Sequence, residues 1–576
     1  MSAPISTSRQ PRALGSRRER AIVRRASAGA LTLLGVFAIP ARAATYYVAT
    51  SGSDNAAGSQ AAPWKTVQKA ANTAAAGDTV IVGDGTYKES VTFSRSGTSS
   101  SPITFKKAVG ATPIVDGASL GGGAYSAVVK LSGVSYVVLD GLTVRNGAAY
   151  CVALSGNTTH VQLLNLDVYG CQGSGAVWVE GATSPSYSVI RGSTVHDNTG
   201  GGITLWNSPG GYYLIEQCEV WNNAGAGNYD GIQVGGEAAG LHHVVVRNNT
   251  VHDNGSADPG ADQIDMGGHG PCHHYVMDGN DVYGSGGAVK MHGNPPFATI
   301  MRRNRVTGIE IVEYDRPNPA MIYHNTVVNA RGHAVQFWTD HVDGGAGTSY
   351  GGMELRNNLF VGSGSYLLIL NGVPGFKWDM SYSSLKLDGN MYRFTSEGLG
   401  WVPRVFDCQQ PDPTGQNEFV AYQAANAPYK QDVRGKRTTA ATSAIFADPS
   451  VRTYQLAAGS PAIDAGVELT TTTAAGTNST SIPVVRASFF QDGYGGLIEP
   501  DMVQVGSNAP VQIVSVDDAN NVIKVASPIS WSANAGVSLP YAGNAPDAGA
   551  VESGATGPTG PSSPPRPPKL LSVDPL

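Results

Sequence analysis

The sequence predicts an all-β protein folded as a right-handed parallel β-helix, a solenoid in which each turn of the chain adds one rung. Glycine makes up 73 of the 576 residues, whereas only 14% of the residues are charged. Such a chain lacks the Glu, Lys and Arg of long amphipathic helices, but it suits short strands joined by tight turns. A hydrophobic content of 41% still allows a large core and excludes a disordered chain.

A repeat between residues 140 and 370 gives the period of the solenoid. One apolar residue recurs in similar short strands and serves as the marker of each rung. The interval between successive markers is 24 residues from Val144 to Val168 and 33 residues from Val327 to Phe360. Repeats of this length fit one rung of a parallel β-helix better than one propeller blade. The markers are Val144, Val168, Val195, Val220, Val251, Val282, Val306, Val327 and Phe360.

Five successive rungs carry asparagine two residues before the marker. Asn tolerates the left-handed backbone conformation that a tight corner requires, and stacked amides can hydrogen-bond along the solenoid axis. We therefore expect a structural role for this column and no catalytic role. The column consists of Asn249, Asn280, Asn304, Asn325 and Asn358.

The N-terminal part of the chain predicts export. Residues 1–43 contain several arginines, an apolar stretch and the cleavage-like Ala41-Arg42-Ala43, which are typical of a signal peptide. We expect a secreted, extracellular or periplasmic protein. Residues 44–482 form the predicted β-helix domain, and a helix within 64–76 would cover one end of its core.

Three further segments follow the β-helix domain. Residues 483–540 predict a small β insertion, because they contain a hairpin-like pattern between two segments that resemble the ends of β-helix domains. Residues 541–552 are the second of these closing segments, and 553–576 form a Pro/Gly-rich tail. Beyond the signal sequence no apolar run approaches about 20 residues, so we expect no membrane span.

Charge and cysteine content limit the partners. A net charge of −6 argues against general binding of nucleic acid. We expect a monomer. The five cysteines are an odd number for an oxidising compartment, and their spacing assigns no pairing.

A second strand in each rung carries the candidate functional residues. Its core is an apolar–x–apolar triplet, and strand alternation points the middle residue outward. Rungs stack about 4.8 Å apart, so this alignment predicts Asp265, Lys290 and Glu310 as vertical neighbours. The whole outward column reads Ala153, Trp178, Thr204, Gln233, Asp265, Lys290, Glu310 and Gln336.

Three aspartates gather on two adjacent rungs beside Lys290. Asp230 and Asp262 stand three positions before the middle residues of their strands, and Asp265 is itself a middle residue. Converging carboxylates repel one another unless a cation lies between them, and an all-oxygen set fits Ca²⁺ better than Zn²⁺. We therefore predict these three aspartates as Ca²⁺ ligands. The alternative is that Asp230 and Asp262 are turn residues and Lys290 is a solvated lysine.

Residues around this cluster are candidates for binding a substrate. Aromatic rings can stack on sugars, and guanidinium groups can bind carboxylates in a bidentate manner. The candidates are Gln233, His292, Glu310, Arg316, Trp206 and Trp338. Further arginines on or near the following rungs are Arg302, Arg303, Arg305 and Arg331.

Three short segments resemble the catalytic rungs of polysaccharide lyase family 9, the pectate lyase type. They are Asp230-Gly-Ile-Gln-Val234, Asp262-Gln-Ile-Asp265 and Val289-Lys-Met-His-Gly293, and the resemblance covers roughly residues 46–370. It implies Lys290 as the catalytic base, the three aspartates as Ca²⁺ ligands, and an acidic polysaccharide, above all pectate, as the substrate. The chain departs from the family at Ala261, where an aspartate is common.

The chemistry of such a reaction explains these residue types. Cleavage of a uronate chain by β-elimination requires a base for the weakly acidic proton on C5 and a cation that stabilises the developing negative charge. A free lysine has a pKa near 10.4, so nearby positive charge or alkaline pH is needed to make it a base. Glu310 in the predicted column would instead raise the pKa of Lys290, because a nearby anion favours the ammonium form.

Other functions remain open on the same scaffold. A glycoside hydrolase would use paired carboxylates such as Asp262 and Asp265, or Glu310 and Asp315. A uronate epimerase would share the lyase chemistry and leave the chain length unchanged. A non-catalytic carbohydrate-binding β-helix would use its tryptophans as stacking platforms.

Overall fold

The structure is a computed structural model that describes most of residues 43–554. The ranges outside the description are 1–42, 119, 124–125, 224–228, 237–239, 256–260, 268–271, 293–297, 315–319, 331–332, 340–352, 364–365, 373–384, 394–403, 406–431 and 555–576. The predicted signal peptide and the C-terminal tail therefore lie outside the described residues.

Three long parallel sheets run along the described part of the chain, and each rung adds one strand to each sheet. This arrangement confirms the predicted parallel β-helix. Sheet A consists of Thr45–Val48, Thr79–Val82, Ile103–Lys107, Val137–Asp140, Gln162–Leu164, Ser188–Arg191, Tyr213–Glu216, His242–Arg247, His273–Asp278, Thr299–Arg302, Ala320–Tyr323, Met353–Arg356 and Leu385–Asp388.

The other two parallel sheets complete each rung. Sheet B consists of Val91–Phe93, Ala127–Ser132, Tyr150–Ser155, Val177–Glu180, Ile203–Trp206, Ile232–Gly235, Ile264–Met266, Val289–His292, Ile311–Tyr314, His333–Thr339, Tyr366–Gly372 and Arg404–Val405. Sheet C consists of Gly85–Tyr87, Pro113–Asp116, Thr143–Arg145, Asp167–Tyr169, Thr194–His196, Glu219–Trp221, Thr250–His252, Asp281–Tyr283, Arg305–Thr307, Thr326–Ala330, Leu359–Ser363, Met391–Arg393 and Lys436–Thr438.

The apolar markers form one vertical column in sheet C. Val144 pairs with Val168, Val168 with Val195, and the register continues in this way to Val327 and Phe360. These side chains point inward and belong to one continuous core that fills the solenoid. Burial of an apolar side chain stabilises the fold by about 1.5–3 kcal/mol, so the stacked column holds the rungs in register.

The asparagine column forms the predicted amide ladder. Each Nδ2 group donates to the Oδ1 atom of the next rung, at 3.0 Å from Asn249 to Asn280 and 2.9 Å from Asn280 to Asn304. The ladder continues through Asn325 and Asn358 to Asn390. Because these buried side chains also accept backbone N–H groups, the ladder satisfies polar groups that would otherwise be orphaned at the corner.

The left-handed corner residue is not the ladder asparagine but the residue before it. Positive φ values occur at Asn248 (54°), Gly279 (68°), Arg303 (55°), His324 (53°) and Asn357 (56°). The prediction that the ladder asparagines adopt this conformation was wrong. The corner needs one left-handed residue, and the Asn that follows it turns its amide into the core.

A short helix covers the N-terminal end of the core, as predicted. It spans Val67–Thr73, and the Thr66 hydroxyl accepts the Lys69 N–H at its start. Val67, Ala70 and Ala71 are buried against the core. A second helix, Thr442–Ile445, lies near the other end of the chain.

A six-stranded antiparallel sheet, sheet D, follows the β-helix in the chain. Its strands are Thr470–Thr471, Gly476–Pro483, Met502–Val505, Val511–Asp517, Val522–Trp531 and Gly536–Ser538. This sheet confirms the small β element predicted near the C-terminus. It packs on the outer face of sheet A, where Val245, Val276 and Ile300 contact its apolar residues.

The two predicted closing segments lie side by side. Gly466 N–H donates to the Pro546 carbonyl oxygen at 2.7 Å, and Asp464 N–H donates to Asp547 Oδ1 at 2.8 Å.

A disulfide joins Cys151 and Cys171, whereas Cys218 and Cys272 are free and buried. Among the described residues, no helix has the length and apolar character needed to cross a membrane.

Candidate functional site

Three neighbouring strands of sheet B bring the predicted site residues together. Gln233 pairs with Asp265, and Asp265 pairs with Lys290, so the three side chains lie one above another. The alternation predicted for these strands is confirmed, because the flanking Ile264 and Met266 are fully buried in the core. The outward residues therefore converge on one face of the solenoid.

Asp230 and Asp262 join this face from the segments that lead into their strands. Asp262 N–H donates to Asp230 Oδ1 at 2.7 Å, and Ala288 N–H donates to Asp262 Oδ1 at 2.8 Å. Each carboxylate is thus fixed by the backbone of the next rung. Gly287 permits this close approach, because a Cβ atom there would lie 2.6 Å from Asp262 Oδ1.

The three aspartates form a buried acidic cluster. One carboxylate oxygen from each of Asp230, Asp262 and Asp265 lies within 4.8 Å of the others. Asp230 Oδ2 is buried and has no hydrogen-bond partner among the described residues. Lys290 Nζ lies 3.5 Å from Asp262 Oδ2 and 3.6 Å from Asp265 Oδ2, with 17% of its side chain exposed. The ammonium group provides countercharge while keeping access to solvent.

Burial and mutual repulsion change the acidity of these groups. Burial, followed by the charge of Asp265, raises the pKa of Asp262 to about 6. Burial and the charges of Asp265 and Asp262 raise the pKa of Asp230 well above its usual range. Burial alone would lower the pKa of Lys290, but the three carboxylates outweigh it and raise that pKa. Lys290 is therefore an ammonium ion in this arrangement.

The predicted pairing of Lys290 with Glu310 in neighbouring strands was wrong. Lys290 pairs with Val312, and Val289 pairs with Ile311, so the next strand is shifted by two residues from the predicted alignment. Glu310 precedes that strand, and its carbonyl oxygen accepts the Val289 N–H at 2.9 Å. Because a two-residue shift keeps the alternation of inward and outward residues, the sequence pattern could not distinguish the two registers.

The predicted substrate-binding residues are distributed around the cluster. Gln233 lies directly beside Asp265, and Trp206 is a half-buried residue of the adjacent strand, paired with Gly235. His292 and Trp338 belong to strands of sheet B, but their side chains lie outside the described part of the structure. Arg316 lies outside the described residues altogether.

Two of the further arginines serve a different purpose from the predicted one. Arg302 is a buried residue of sheet A whose guanidinium group binds Asp501 and Asp278. Arg303 also pairs with Asp278. Neither guanidinium lies on sheet B. Arg302 is therefore not one of the arginines that could bind a sugar carboxylate, whereas the Arg303 side chain is partly exposed.

Gln263 is a residue of the site that sequence reasoning missed. It is fully buried, its Oε1 accepts the Asn254 side-chain N–H at 3.0 Å, and its Nε2 donates to the Ser285 carbonyl oxygen at 2.8 Å. It thereby ends a second amide ladder through Asn198, Asn223 and Asn254. Since Gln263 lies between Asp262 and Asp265 in the chain, this ladder holds the acidic segment in place.

A sequence signal for Gln263 exists in the repeat. Asn198, Asn223 and Asn254 each stand three residues after the valine marker of their rung, but the following rung has Ser285 at that position. The ladder therefore lacks its next amide, and a longer amide from another segment is needed to continue it. Gln263 supplies that amide.

The donor set fits the calcium ion that the family resemblance implies. All three candidate ligands are carboxylates, which suits a hard cation with oxygen coordination. The buried Asp230 Oδ2 atom lacks a partner among the described residues, which is costly unless a cation or water binds it. The chemistry of Asp230, Asp262 and Asp265 is thus compatible with Ca²⁺.

A family model matches the N-terminal part of the β-helix. Residues 46–270 match the family model described as "Pel9A-like, right handed beta helix region". This match confirms the resemblance to polysaccharide lyase family 9 and the right-handed β-helix. The matched segment includes all three aspartates, whereas Lys290 lies beyond it.

Individual relatives are more distant. The chain is 27% identical over 206 residues to pectate lyase PEL9 of Emericella nidulans, covering 28% of this chain and 50% of that protein. It is 26% identical over 242 residues to the uncharacterized protein YwoF of Bacillus subtilis, covering 40% of this chain and 46% of that protein. The chain thus spans about half the length of these relatives. The crystal structure of pectate lyase Pel9A matches with 16% identity and a TM-score of 0.44, over 88% of this chain and 96% of that one.

Proposed function

We propose that this protein is a secreted polysaccharide lyase that cleaves a uronic-acid polysaccharide, pectate in particular, by calcium-assisted β-elimination. The observation that carries the proposal is the position of Lys290 Nζ, 3.5–3.6 Å from two carboxylates of a buried acidic cluster on the same face of sheet B. A base and a cation site side by side are what this reaction requires.

In the proposed reaction Lys290 is the catalytic base. Its neutral amine takes the proton from C5 of a uronate, the C5–H electron pair forms the C4–C5 double bond, and the C4–O bond to the leaving sugar breaks. The leaving oxygen takes a proton from solvent. The product chain then carries an unsaturated, non-reducing uronate end.

Asp230, Asp262 and Asp265 would hold the calcium ion. Bound Ca²⁺ would offset the carboxylate charge that keeps the proton on Lys290 and would stabilise negative charge on the substrate carboxylate. Without that compensation the three carboxylates favour the ammonium form. We therefore expect activity to require a divalent cation and to have an alkaline optimum.

The residues around the cluster would position the sugar chain. Gln233 and Trp206 lie on strands that precede Lys290 along sheet B, so we assign them to one side of the substrate path. His292, Glu310, Arg316 and Trp338 follow in the chain and are proposed for the other side. Aromatic stacking and guanidinium–carboxylate pairing are the contacts that an acidic sugar chain would use.

The test is a product assay with several polysaccharides. Mature protein would be incubated with polygalacturonate, alginate, glycosaminoglycans or rhamnogalacturonan, each with Ca²⁺ or with a chelator. We expect unsaturated ends from polygalacturonate with Ca²⁺ and none with the chelator. Turnover of any substrate without unsaturated ends would overturn the proposal.

A glycoside hydrolase is the second candidate, and the raised pKa of Asp262 favours it. A carboxyl group with a pKa of about 6 beside another carboxylate is suited to general acid catalysis. In that case Asp262 would protonate the leaving oxygen, with Asp265 as its partner. New reducing ends without unsaturation, formed equally well with a chelator, would identify a hydrolase.

Export and domain organisation belong to the same proposal. An extracellular or periplasmic enzyme would meet polysaccharides outside the cell, as the predicted signal peptide over residues 1–43 implies. We propose 44–482 with 541–552 as the catalytic domain and 483–540 as an insertion that packs on it, with Thr470–Thr471 and Gly476–Pro483 joining the insertion in sheet D.

A further inference from the structure

We propose that His243, His273 and His274 form a zinc-binding site between sheet A and sheet D. One ring nitrogen from each of these three histidines lies within 4.8 Å of the others. The histidines lie on sheet A, whereas the acidic cluster lies on sheet B and in the segments that lead into two of its strands. The two candidate metal sites therefore use different residues and different ligand chemistry.

Two adjacent strands bring the histidines together. His242 pairs with His273 across His242–Arg247 and His273–Asp278, and their rings stack 5.0 Å apart. The rings of His243 and His274 are parallel and 4.7 Å apart. Within each pair of neighbours the Nδ1 atoms face each other, at 2.8 Å for His242 and His243 and 2.6 Å for His273 and His274. Four imidazoles thus converge in one place.

The four histidines form two columns, His243 with His274 and His242 with His273. Ring stacking along the axis alone explains the first column. The left-handed corner of sheet A carries a ring on six successive rungs, Tyr136, His160, Tyr187, Tyr212, His243 and His274, and these rings stack along the axis. The residue before each ring is Ser135, Thr159, Ser186, Gly211, His242 and His273. This second column changes to histidine on two adjacent rungs, at His242 before His243 and at His273 before His274.

Gly211 shows that space is reserved for the second column. A Cβ atom at Gly211 would lie 2.2 Å from the His242 carbonyl oxygen and 2.5 Å from His242 Nδ1, so a side chain at this position would clash with both the backbone and the imidazole of the next rung. Gly211 also has a positive φ of 60°. The rung before the four histidines therefore leaves room for them.

The number and type of the ligands favour zinc. The imidazole nitrogen is a common ligand of zinc in proteins. Three imidazole ligands are typical of zinc, whereas calcium prefers oxygen.

A carboxylate from the C-terminal part of the chain supports the site. Asp518 Oδ2 lies 3.4 Å from His274 Nε2, and the other oxygen, Oδ1, is buried without a hydrogen-bond partner among the described residues. A carboxylate on the distal nitrogen of a metal-bound imidazole fixes its tautomer, so Nδ1 of His274, the atom that faces His273 Nδ1, would carry a lone pair that can bind the ion. The buried Tyr494 ring stands perpendicular to His243 at 4.8 Å and covers the cluster.

This site would tie sheet D to the β-helix. Asp518 follows the strand Val511–Asp517 of sheet D, whereas the histidines belong to sheet A. Zinc binding would therefore stabilise the docked arrangement, because an ion that binds only the folded state raises the free energy of unfolding.

The test is zinc titration of untagged, chelator-stripped protein in saturating Ca²⁺, followed by calorimetry and thermal unfolding. We expect one equivalent of Zn²⁺ to bind and to raise the unfolding temperature. His273→Ala and His243→Ala should each weaken binding by more than the roughly 10- to 100-fold cost of losing an outer partner. His160→Ala, in the same stacked column, is the control and should bind zinc normally.

A spectroscopic measurement reports the coordination of the ion directly, whether or not a variant changes stability. Co²⁺ in place of Zn²⁺ should give the visible absorption of a tetrahedral site in the wild type and in Asp262→Asn, but not in His273→Gln. Absence of stoichiometric zinc binding to the wild type would overturn the proposal. Unchanged affinity in both His243→Ala and His273→Ala would overturn it equally.

Discussion

At the scale of single residues, the main feature is a lysine held between carboxylates. Lys290, Asp262 and Asp265 could be predicted as neighbours from the sequence. Asp265 and Lys290 are the middle residues of apolar–x–apolar triplets in neighbouring strands, and Asp262 stands three positions before Asp265. Glu310 could not be placed, because Ile309 and Ile311 are both apolar and either can lie opposite Val289.

The buried aspartates predict an unusual pH dependence of stability without calcium. The folded-state pKa of Asp262 is about 6, whereas an unfolded aspartate has a pKa of about 3.9. Between these values the folded state holds more protons on Asp262, so the contribution of Asp262 to the free energy of unfolding should fall as the pH rises from about 4 through about 6. Denaturant unfolding of chelated protein at several pH values measures this effect.

The matched control separates Asp262 from the other carboxyl groups. Asp262→Asn should flatten the decrease over this pH range, whereas Asp517→Asn, at an exposed position of sheet D, should leave it unchanged. The same pH dependence of the free energy of unfolding in chelated wild-type protein and in Asp262→Asn would contradict the raised pKa.

Gln263 predicts a coupling between stability and metal binding. Gln263→Leu removes the partners of the Asn254 amide and the Ser285 carbonyl inside the core, so we expect a loss of about 2–4 kcal/mol in the free energy of unfolding. Calcium affinity should also fall, because the segment from Asp262 to Asp265 loses its anchor. Chemical denaturation and calcium titration measure the two effects.

An exposed glutamine gives the control for Gln263. Gln512→Leu on sheet D makes the same chemical change at the surface and should alter neither quantity by more than about 0.5 kcal/mol. A Gln263→Leu variant as stable as Gln512→Leu, with normal calcium affinity, would show that the second ladder does not hold the acidic segment.

At the scale of elements, the asparagine ladder was predictable from its regular spacing. The sequence could not show that the left-handed residue precedes each ladder asparagine, because these residues share no common type and Arg303 is not typical of that conformation. Their backbone conformation is imposed by the corner, and the amide ladder behind them stabilises it.

Breaking the ladder in its centre should destabilise the whole β-helix. Asn304→Leu removes the acceptor of the Asn280 amide and the donor to the Asn325 amide, both fully buried. We expect the free energy of unfolding to fall by about 2–4 kcal/mol, as measured by denaturant titration. Asn55→Leu in an exposed loop is the control, and equal stability of the two variants would contradict a structural ladder.

At the scale of the whole molecule, sheet D covers a face of the β-helix that is apolar in the sequence. The outward residues of sheet A include Val189, Leu214, Val245, Val276 and Ile300, where a solvated face would have polar residues. This pattern could have predicted a covering element. Which segment covers it depends on long-range packing, which no local pattern encodes.

A buried charge network also joins the two parts. Arg302 donates to both oxygens of Asp501 at 2.7 Å and to Asp278 Oδ2 at 3.0 Å. Arg302→Met would leave buried carboxylates without their partner, so we expect a loss of about 3–5 kcal/mol in the free energy of unfolding. Arg95→Met, outside this network, is the control for thermal and chemical unfolding; a loss no larger than in this control would contradict a connecting role.

The most direct test of Lys290 as the catalytic base is a rate measurement on Lys290 variants. The rate is that of forming unsaturated ends from polygalacturonate in the presence of Ca²⁺. Lys290→Arg keeps a positive charge beside Asp262 and Asp265 but cannot act as a base at ordinary pH. We expect Lys290→Arg and Lys290→Ala to lose about 10²- to 10⁴-fold in rate while keeping the wild-type circular dichroism spectrum. Lys130→Ala, in the same outward column of sheet B, should retain full activity. Wild-type rates in a folded Lys290→Arg or Lys290→Ala variant would contradict the assignment of Lys290 as the base.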